Sequence, residues 1–574
     1  MFFVKRKRKR RTELIIGSVF LFTFPMKVIP YLLSAVLLLL AWLLPIHKMP
    51  WTTFGSEALT FLSALVLLSA FLNKDLKIPK PQLLILPVLV IPLIQWGFGE
   101  ILYLSNALLC TAYIAMFWLM LVVGYNLAVG EKGQREQVFK VFSLVVFTGA
   151  MLSSFIAMTQ WLGVNEYFRP LVNLLNGNRP YANFAQPNNL ATFICMGVFA
   201  CLYFYEKKIL PNYILGPSTF IFLLTIALTQ SRTAWVVCLF TLIYLTIKQF
   251  GQTKRLGFVK LLAWSGVFVT LITCLPMLNQ WIASVSTQDV VQADSVVERA
   301  TSGYLRLDMW NQALVAISEK PWFGYGWNQT GMAQIAAFDL YPSHEWYKTA
   351  HNVILDLLIW NGIPIGGLII VYMACWLYWL NKGIKDTVSI AAGLMVCAIL
   401  IHALLEYPIH YAYFLLPLGF LLGIIQAQYP RLPTVNLKSS VTVSIIVIGL
   451  VLVGVIYRDY ILYRQQSVFV NKKTALSASQ QAVMNQDILL LTQFKERVWW
   501  IGFNPYSKMS DQQLQYMGRM VANLASAYDI QKYAQVLAFN GKKVEAEHQL
   551  WILKTLHGQE KSYQDLLPVS AVGK

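Results

Sequence analysis

Thirteen long apolar runs constrain this chain more than anything else in it. Crossing a bilayer as a helix takes roughly 20 mostly apolar residues. Runs of that kind recur at 28–46, 55–72, 82–98, 106–128, 138–162, 188–204, 210–228, 233–248, 257–280, 352–380, 387–404, 409–427 and 440–457. With 57% hydrophobic and only 13% charged residues over 574 positions, the composition excludes an ordinary soluble globular chain. The expected fold class is an all-α polytopic membrane protein with about thirteen transmembrane helices.

The formal net charge of +19 would point to nucleic acid in a soluble chain. Here it reads as topology, because Lys and Arg collect on the cytoplasmic side of membrane proteins. Lys74, Lys77 and Lys80, then Lys132, Arg135 and Lys140, Lys207 and Lys208, Lys248 to Lys260, Lys382 and Lys385, and Arg431 and Lys438 fall in alternate loops. They share one face with the basic run Lys5 to Arg11. Leu14 to Phe24 resembles a signal peptide, but no small-residue cleavage site follows. Residues 1–27 are therefore expected to form an uncleaved cytoplasmic or interfacial arm. The expected partners include membrane lipids and no nucleic acid.

The opposite, extracytoplasmic loops are 47–54, 99–105, 163–187, 229–232, 281–351 and 405–408, with the segment from Arg458 onward on the same side. The expected domains are an N-terminal bundle at 28–280, a long periplasmic loop at 281–351, C-terminal membrane helices at 352–457 and a small periplasmic helical domain at 458–574. In that last domain the apolar spacing from Tyr533 to Leu550, broken at Asn540-Gly541, suggests a helical hairpin like a single tetratricopeptide unit. All seven cysteines lie in apolar runs, where cysteine packs as a small hydrophobe, so no disulfide framework is expected.

Polar residues at the membrane edge cost free energy and usually mark a site. Four groups on the outer face qualify. The first is Asn178-Arg179-Pro180-Tyr181-Ala182-Asn183-Phe184-Ala185-Gln186-Pro187-Asn188-Asn189. Its prolines and amides can cap a helix and leave Arg179 and Gln186 facing a cavity, or the stretch is an interfacial turn. The second is Thr229-Gln230-Ser231-Arg232-Thr233, where Arg232 either snorkels to lipid phosphate or binds a phosphate bidentately. The third lies in the long loop: Arg306, Asp308 and Trp310, then Gly324-Tyr325-Gly326, Ser343-His344-Glu345 and His351-Asn352. The fourth puts His402 and Glu406 one helical turn apart before Pro408-Ile409-His410. A buried ion pair or a helix cap would account for that pair equally well.

The histidines and Glu406 are the right ligand types for zinc, but their spacing fits no compact zinc pattern, so no metal is expected. Gly-x-Ser-x-Gly, Walker and dinucleotide glycine motifs are missing from the sequence. No cofactor is expected, and any energy must arrive in the substrate. Several arginines at one face suit a lipid-embedded donor whose leaving group is a phosphate or pyrophosphate.

Ser231-Arg232, Arg306 with Trp310, Gly324-x-Gly326, and His351-Asn352-x-x-Leu355 with Gly362 together resemble the O-antigen ligase and polymerase superfamily (WaaL, Wzy and relatives). The Arg179 to Leu190 segment, the His402-x-x-x-Glu406-Tyr407-Pro408 block and the C-terminal domain resemble its PglL-type protein O-oligosaccharyltransferases. The resemblance runs from about Leu40 through the C-terminal domain. It implies a Gram-negative inner-membrane enzyme, active site facing the periplasm, that is metal-independent. Such an enzyme moves a preassembled glycan from undecaprenyl pyrophosphate to a serine or threonine of a periplasmic acceptor protein, often a type IV pilin. His351, Arg232 and Arg306 are then the expected catalytic residues. His351 would act as general base or acceptor orienter, or would instead donate a hydrogen bond to the pyrophosphate. Arg179, Tyr181, Gln186, Asn188, Asn352, His402 and Glu406 are the expected substrate-binding residues. A ligase or polymerase with a glycolipid acceptor is the nearest rival. A lipid-linked glycan transporter is a more distant one, since it should carry polar groups at mid-span.

Overall fold

A computed structural model describes residues 28–131, 133–249, 255–285, 304–472 and 475–568. The expected N-terminal arm and residues 286–303 of the long loop lie outside them. Among the described residues the fold is helical throughout, apart from two four-residue strands. Each of the thirteen apolar runs falls on a helix: α1 Ile29–Leu43, α2 Phe54–Leu68, α3 Leu86–Gly97, α4 Leu104–Ala128, α5 Gln134–Trp161, α6 Pro187–Lys207, α7 Asn212–Thr229, α8 Arg232–Gln249 and α9 Phe258–Val285, then α12 Val353–Lys382, α13 Thr387–Ala403, α14 Ala412–Gln426 and α15 Ser439–Phe469. Between them lie α10 Tyr304–Glu319 and α11 Thr330–Ala336. Among the described residues nine helices are long and apolar enough to cross a membrane, and α1, α13 and α14 are shorter apolar helices. The protein is polytopic.

Helices are the economical solution here because lipid offers no partner to an unpaired amide. Between membrane helices the hydrophobic drive is weak, and close packing has to replace it. The contact of α4 with α14 shows how. A Cβ on Gly124 would lie 2.3 Å from the Phe420 carbonyl oxygen, and one on Gly423 would lie 2.3 Å from that of Leu121. The two backbones touch where the glycines allow it.

At one end of the bundle the basic loops are tied to each other. Strand β1 Leu76–Pro79 pairs antiparallel with β2 Thr434–Leu437, Arg135 bridges to Asp386, and Lys207 Nζ sits 2.7 Å from Glu136. The strand pair is a departure from the all-α expectation: two loops of one face share a short ladder.

Helix α12 departs further from the single span expected at 352–380. It breaks at Gly362 (φ 71°, ψ 174°), two residues before Pro364. The segment 321–326 enters the break: Tyr325 N–H donates to the Ile359 carbonyl (2.8 Å), Gly326 N–H to that of Trp360 (3.1 Å), and Ile363 N–H to that of Pro321 (2.7 Å). From α3, Gln95 Nε2 donates to the Trp360 carbonyl (2.8 Å), and Gln95 Oε1 accepts from Trp327 N–H (2.8 Å). The break is tolerable because these partners replace the lost helical bonds.

The expected boundary at 457/458 falls inside a continuous helix, since α15 runs on to Phe469. Fully buried Asp459 explains this. Its Oδ2 accepts the backbone N–H groups of Leu489, Leu490 and Leu491 at 3.0, 2.6 and 3.1 Å, which fastens the extension to the chain that follows. Beyond lie α16 Ala478–Met484, α17 Thr492–Gly502, α18 Asp511–Leu524, α19 Ala527–Phe539 and α20 Lys543–His557. The last two form a hairpin about Asn540-Gly541, where the glycine has φ 78°. Their core, with Trp500, Met517 and Leu553, includes Phe338 from the long loop. Arg519 donates to the Gly99 carbonyl (2.5 Å), so the C-terminal helices lie over the end of the bundle opposite the basic loops.

Candidate functional site

The turn between α13 and α14 carries the carboxylate at the centre of the site. Helix α13 ends at Ala403, and Pro408 opens a short 3-10 turn to His410, so Glu406 is held between two breaks in the helical path. Its side chain is 6% exposed. Oε1 accepts from Arg306 on α10 and from Asn188 Nδ2 on α6 (3.1 Å), and Oε2 lies 3.0 Å from His351 Nδ1. Burial alone would raise the Glu406 pKa, but the hydrogen bond and charge of His351 and the charge of Arg306 outweigh it and hold the carboxyl below its usual range.

An ionised carboxylate can only accept. The His351 Nδ1 that faces it therefore carries a proton, and in the neutral ring Nε2 is left as the acceptor. The edge of the imidazole meets the Tyr407 ring, centroids 4.9 Å apart. His351 precedes α12 in a left-handed conformation (φ 50°). Behind it, Asn352 is the N-cap of that helix, its Oδ1 accepting from Ile354 N–H (2.9 Å) and Leu355 N–H (3.3 Å).

Arginines extend the site along the other side of Glu406. Arg179 donates from Nη2 to Asn188 Oδ1 (3.1 Å) and from Nε to the Thr229 carbonyl at the end of α7 (2.8 Å). Exposed Arg232 opens α8 three residues later. A chain of contacts thus runs from the α7–α8 turn through Arg179, Asn188 and Glu406 to Arg306 and His351. Arg306 on the buried carboxylate, and Arg179 one amide away through Asn188, give guanidinium groups suited to an anion beside a candidate base.

The structure uses several of the expected residues differently. Gln186 is itself the N-cap of α6, accepting from Asn189 N–H (3.1 Å), with Pro187 in the first turn. It does not stand free in a cavity. The Tyr181 hydroxyl donates to the Leu174 carbonyl (2.7 Å) and accepts from Asn176 N–H (3.1 Å), bracing its own loop. The side chain of fully buried His402 turns away from the Glu406 carboxylate. Its Nδ1 lies 2.9 Å from Thr192 Oγ1 on α6. The Gly324-x-Gly326 segment serves the break in α12, where a Cβ on Gly324 would sit 2.4 Å from the Ile359 carbonyl oxygen.

His344 lies elsewhere, with its Nδ1 3.2 Å from the Thr555 carbonyl. His410 faces Trp360, ring centroids 5.6 Å apart, and burial with the charge of His351 pushes its pKa down to about 4. Among the described residues no group of three or more His, Cys, Asp or Glu is gathered as for a metal ion. His410 and Trp360 also line a largely apolar cavity of about 920 Å³ that reaches from α4 and α12 to α17. Reading residue types missed Tyr407 and Thr192, which meet His351 and His402, and Asp356, which accepts from the Ala350 N–H beside His351. An acid in the first turn of an apolar helix was a usable signal for Asp356. A threonine within a span, such as Thr192, gave none.

Residues 217–372 match the O-antigen ligase family, and residues 390–568 match the C-terminal region of the virulence factor membrane-bound polymerases. The Arg306–Glu406 bridge joins the two matched segments. Over 546 residues, 95% of either chain, the sequence is 44% identical to the general O-oligosaccharyltransferase of Acinetobacter baylyi. The chain belongs to the O-oligosaccharyltransferase family. It is thus a membrane-embedded glycosyltransferase, and its cluster is the candidate active site of an O-oligosaccharyltransferase. A second relative, the ComP-specific O-oligosaccharyltransferase of the same organism, is 33% identical over 396 residues, 68% of either chain.

Proposed function

We propose that this enzyme transfers a preassembled oligosaccharide from undecaprenyl pyrophosphate to a serine or threonine hydroxyl of a periplasmic protein, such as a type IV pilin. It would sit in the bacterial inner membrane with about thirteen spans, the C-terminal helices and the His351 cluster facing the periplasm. The observation that carries the reading is His351, its Nδ1 fixed on ionised Glu406 and its Nε2 directed away, next to Arg306.

In this mechanism His351 Nε2 takes the proton of the acceptor hydroxyl as its oxygen bonds to the anomeric carbon. The bond from that carbon to the pyrophosphate oxygen breaks, and undecaprenyl pyrophosphate leaves with the electron pair. Arg306, Arg232 and Arg179 stabilise the charge that develops on the leaving group. Asn188 and Glu406 hold these groups in register, with His402 packed behind them against Thr192. Gln186, Tyr181 and Asn352 build the walls rather than touch substrate, in keeping with their bonds to backbone. The apolar cavity lined by His410 and Trp360 supports a lipid-linked donor, because it offers hydrocarbon-lined space two residues beyond Pro408.

The O-antigen ligase match favours a second reading in which the acceptor is a glycolipid. One experiment separates the two. The chain is expressed with a lipid-linked glycan and a pilin acceptor, and the intact mass of the acceptor is measured. The expected result is a mass increase of one glycan that His351→Ala abolishes. Glycan appearing on lipid alone would favour the second reading, and full glycosylation by His351→Ala would overturn the catalytic role of His351.

A further inference from the structure

Ala350 has no side-chain chemistry, yet side chains hold both of its backbone polar groups. Its N–H donates to Asp356 Oδ1 (2.8 Å), and its carbonyl accepts from Trp310 Nε1 (2.9 Å). Asp356 is buried on the first turn of α12, and its Oδ1 also accepts from Thr330 Oγ1 on α11 (2.8 Å). The same Thr330 oxygen accepts from Trp360 Nε1 (2.8 Å), one helical turn beyond Asp356. Trp310 lies one turn after Arg306 on α10 and so on the same face. One helix face therefore delivers a guanidinium to Glu406 and an indole N–H to the peptide preceding His351.

The arrangement bears on His351 because of its backbone. A φ of 50° is the left-handed region, disfavoured for a residue with a β-carbon. Such a conformation persists only when its surroundings over-determine it. The Ala350 peptide is gripped from both sides, His351 N–H donates to Thr349 Oγ1 (3.2 Å), and Asn352 caps the helix that follows. If the peptide were released, an extended His351 would turn its ring away from Glu406.

We propose that Asp356 and Trp310 are positioning residues, clamping the Ala350 peptide so that His351 keeps the backbone conformation that aims Nδ1 at Glu406 and Nε2 at substrate. The inference rests on the catalytic reading of His351 for its effect on rate, but the clamp itself is a statement about geometry. Asp356 as a simple helix-start acid would be indifferent to its contact with Ala350. The clamp requires that contact.

The test uses the full chain in lipid nanodiscs with a lipid-linked oligosaccharide and an acceptor protein. Asp356→Ala and Trp310→Phe should lower kcat by about 10-fold to 100-fold and leave KM for both substrates within about twofold. Asp356→Asn keeps an acceptor oxygen for the Ala350 N–H and should recover most of the lost rate. A readout independent of turnover is the modification of His351 by diethyl pyrocarbonate, followed by peptide mass spectrometry. Release from Glu406 should make it at least about threefold faster in Asp356→Ala and Trp310→Phe, but not in Asp356→Asn. Unchanged kcat and labelling in folded Trp310→Phe, with Asp356→Ala also unchanged or unfolded, would overturn the clamp. A fully active His351→Ala would instead overturn the catalytic reading, and the labelling would still decide the clamp.

Discussion

Replacing Glu406 with glutamine keeps the shape of the side chain and removes its charge. Oε1 can still accept from Arg306 and Asn188, which leaves the new amide NH₂ facing His351 Nδ1 where a carboxylate oxygen had been. Two donors cannot share that 3.0 Å contact, so the imidazole must move its proton to Nε2 and accept at Nδ1. The nitrogen proposed to take the acceptor's proton is then already protonated. Breaking a buried ion pair costs about 3–5 kcal/mol. Arg306 is 24% exposed and keeps one acceptor, so the cost to folding stability is about 3 kcal/mol, the lower end of that range. The rate is affected through the reversed tautomer, and the analogous exchange in serine protease triads lowers kcat by about 10⁴. The expected loss of kcat for Glu406→Gln is thus about 10² to 10⁴, with donor KM unchanged or lower, because Arg306 loses a competing anion. Steady-state glycosylation read by acceptor mass measures both constants. If His351 only donates to the pyrophosphate, an Nε2 proton is no handicap, and a loss of less than about threefold would refute the base assignment.

Three further outcomes follow from the same contacts. The His410 ring, held to about 4, stays neutral in the folded protein while an exposed imidazole near 6.5 takes up a proton. The unfolded chain then binds more protons, so stability falls as pH drops from about 6.5 to about 4. His410→Asn should lessen the fall of the melting temperature over that window, and an unchanged slope would count against the assignment. Glu406 acts below this range, since its depressed pKa keeps its stabilising contribution until pH falls beneath the usual carboxylate range. Gly362→Ala would place a methyl 2.4 Å from the Trp322 carbonyl oxygen at a φ of 71°, and should destabilise by about 2–4 kcal/mol; a melting midpoint within a degree of wild type would contradict this. Arg497→Ala would leave buried Asp529 with only Trp500 Nε1 (2.9 Å) and Ser526 Oγ (2.5 Å), at a cost of about 3 kcal/mol. The C-terminal helices should then be cut faster in limited proteolysis, and equal rates would show that the pair contributes little.

Helix positions were legible from the sequence because the signal is long and one-sided: 20 apolar residues admit few other readings in lipid. The hairpin about Asn540-Gly541 was legible for the same kind of reason, with a turn signal between two amphipathic stretches. What could not be read is what happens inside a run. Gly362 and Pro364 are visible, but a break there depends on Gln95 and the 321–326 segment arriving to satisfy it. Nothing local to α12 announces those partners. The continuation of α15 past 457/458 was hidden likewise, since composition turns polar at Arg458 while Asp459 draws its stabilising amides from some 30 residues downstream.

The same distinction separates the two kinds of site residue. Arg306, His351 and Glu406 were legible because each is expensive at a membrane edge, and the cost is visible one residue at a time. Their mutual arrangement was not, because the helical spacing of His402 and Glu406 pointed to a local pair. In the fold the tight turn after α13 sends the two side chains to different partners. His402 meets Thr192 on α6, and Glu406 collects Asn188, Arg306 and His351 from three other segments. Gln186 and Asn352 looked like substrate ligands for the same reason that they make good caps: a short amide ahead of a helix fits either task. The positions of the Asn189, Ile354 and Leu355 amides show the capping task, which the side-chain oxygens of both residues perform. A polar residue at a helix mouth therefore marks a candidate site more strongly when it carries a charge that a cap does not require, and in this chain Arg179, Arg232, Arg306 and Glu406 meet that condition.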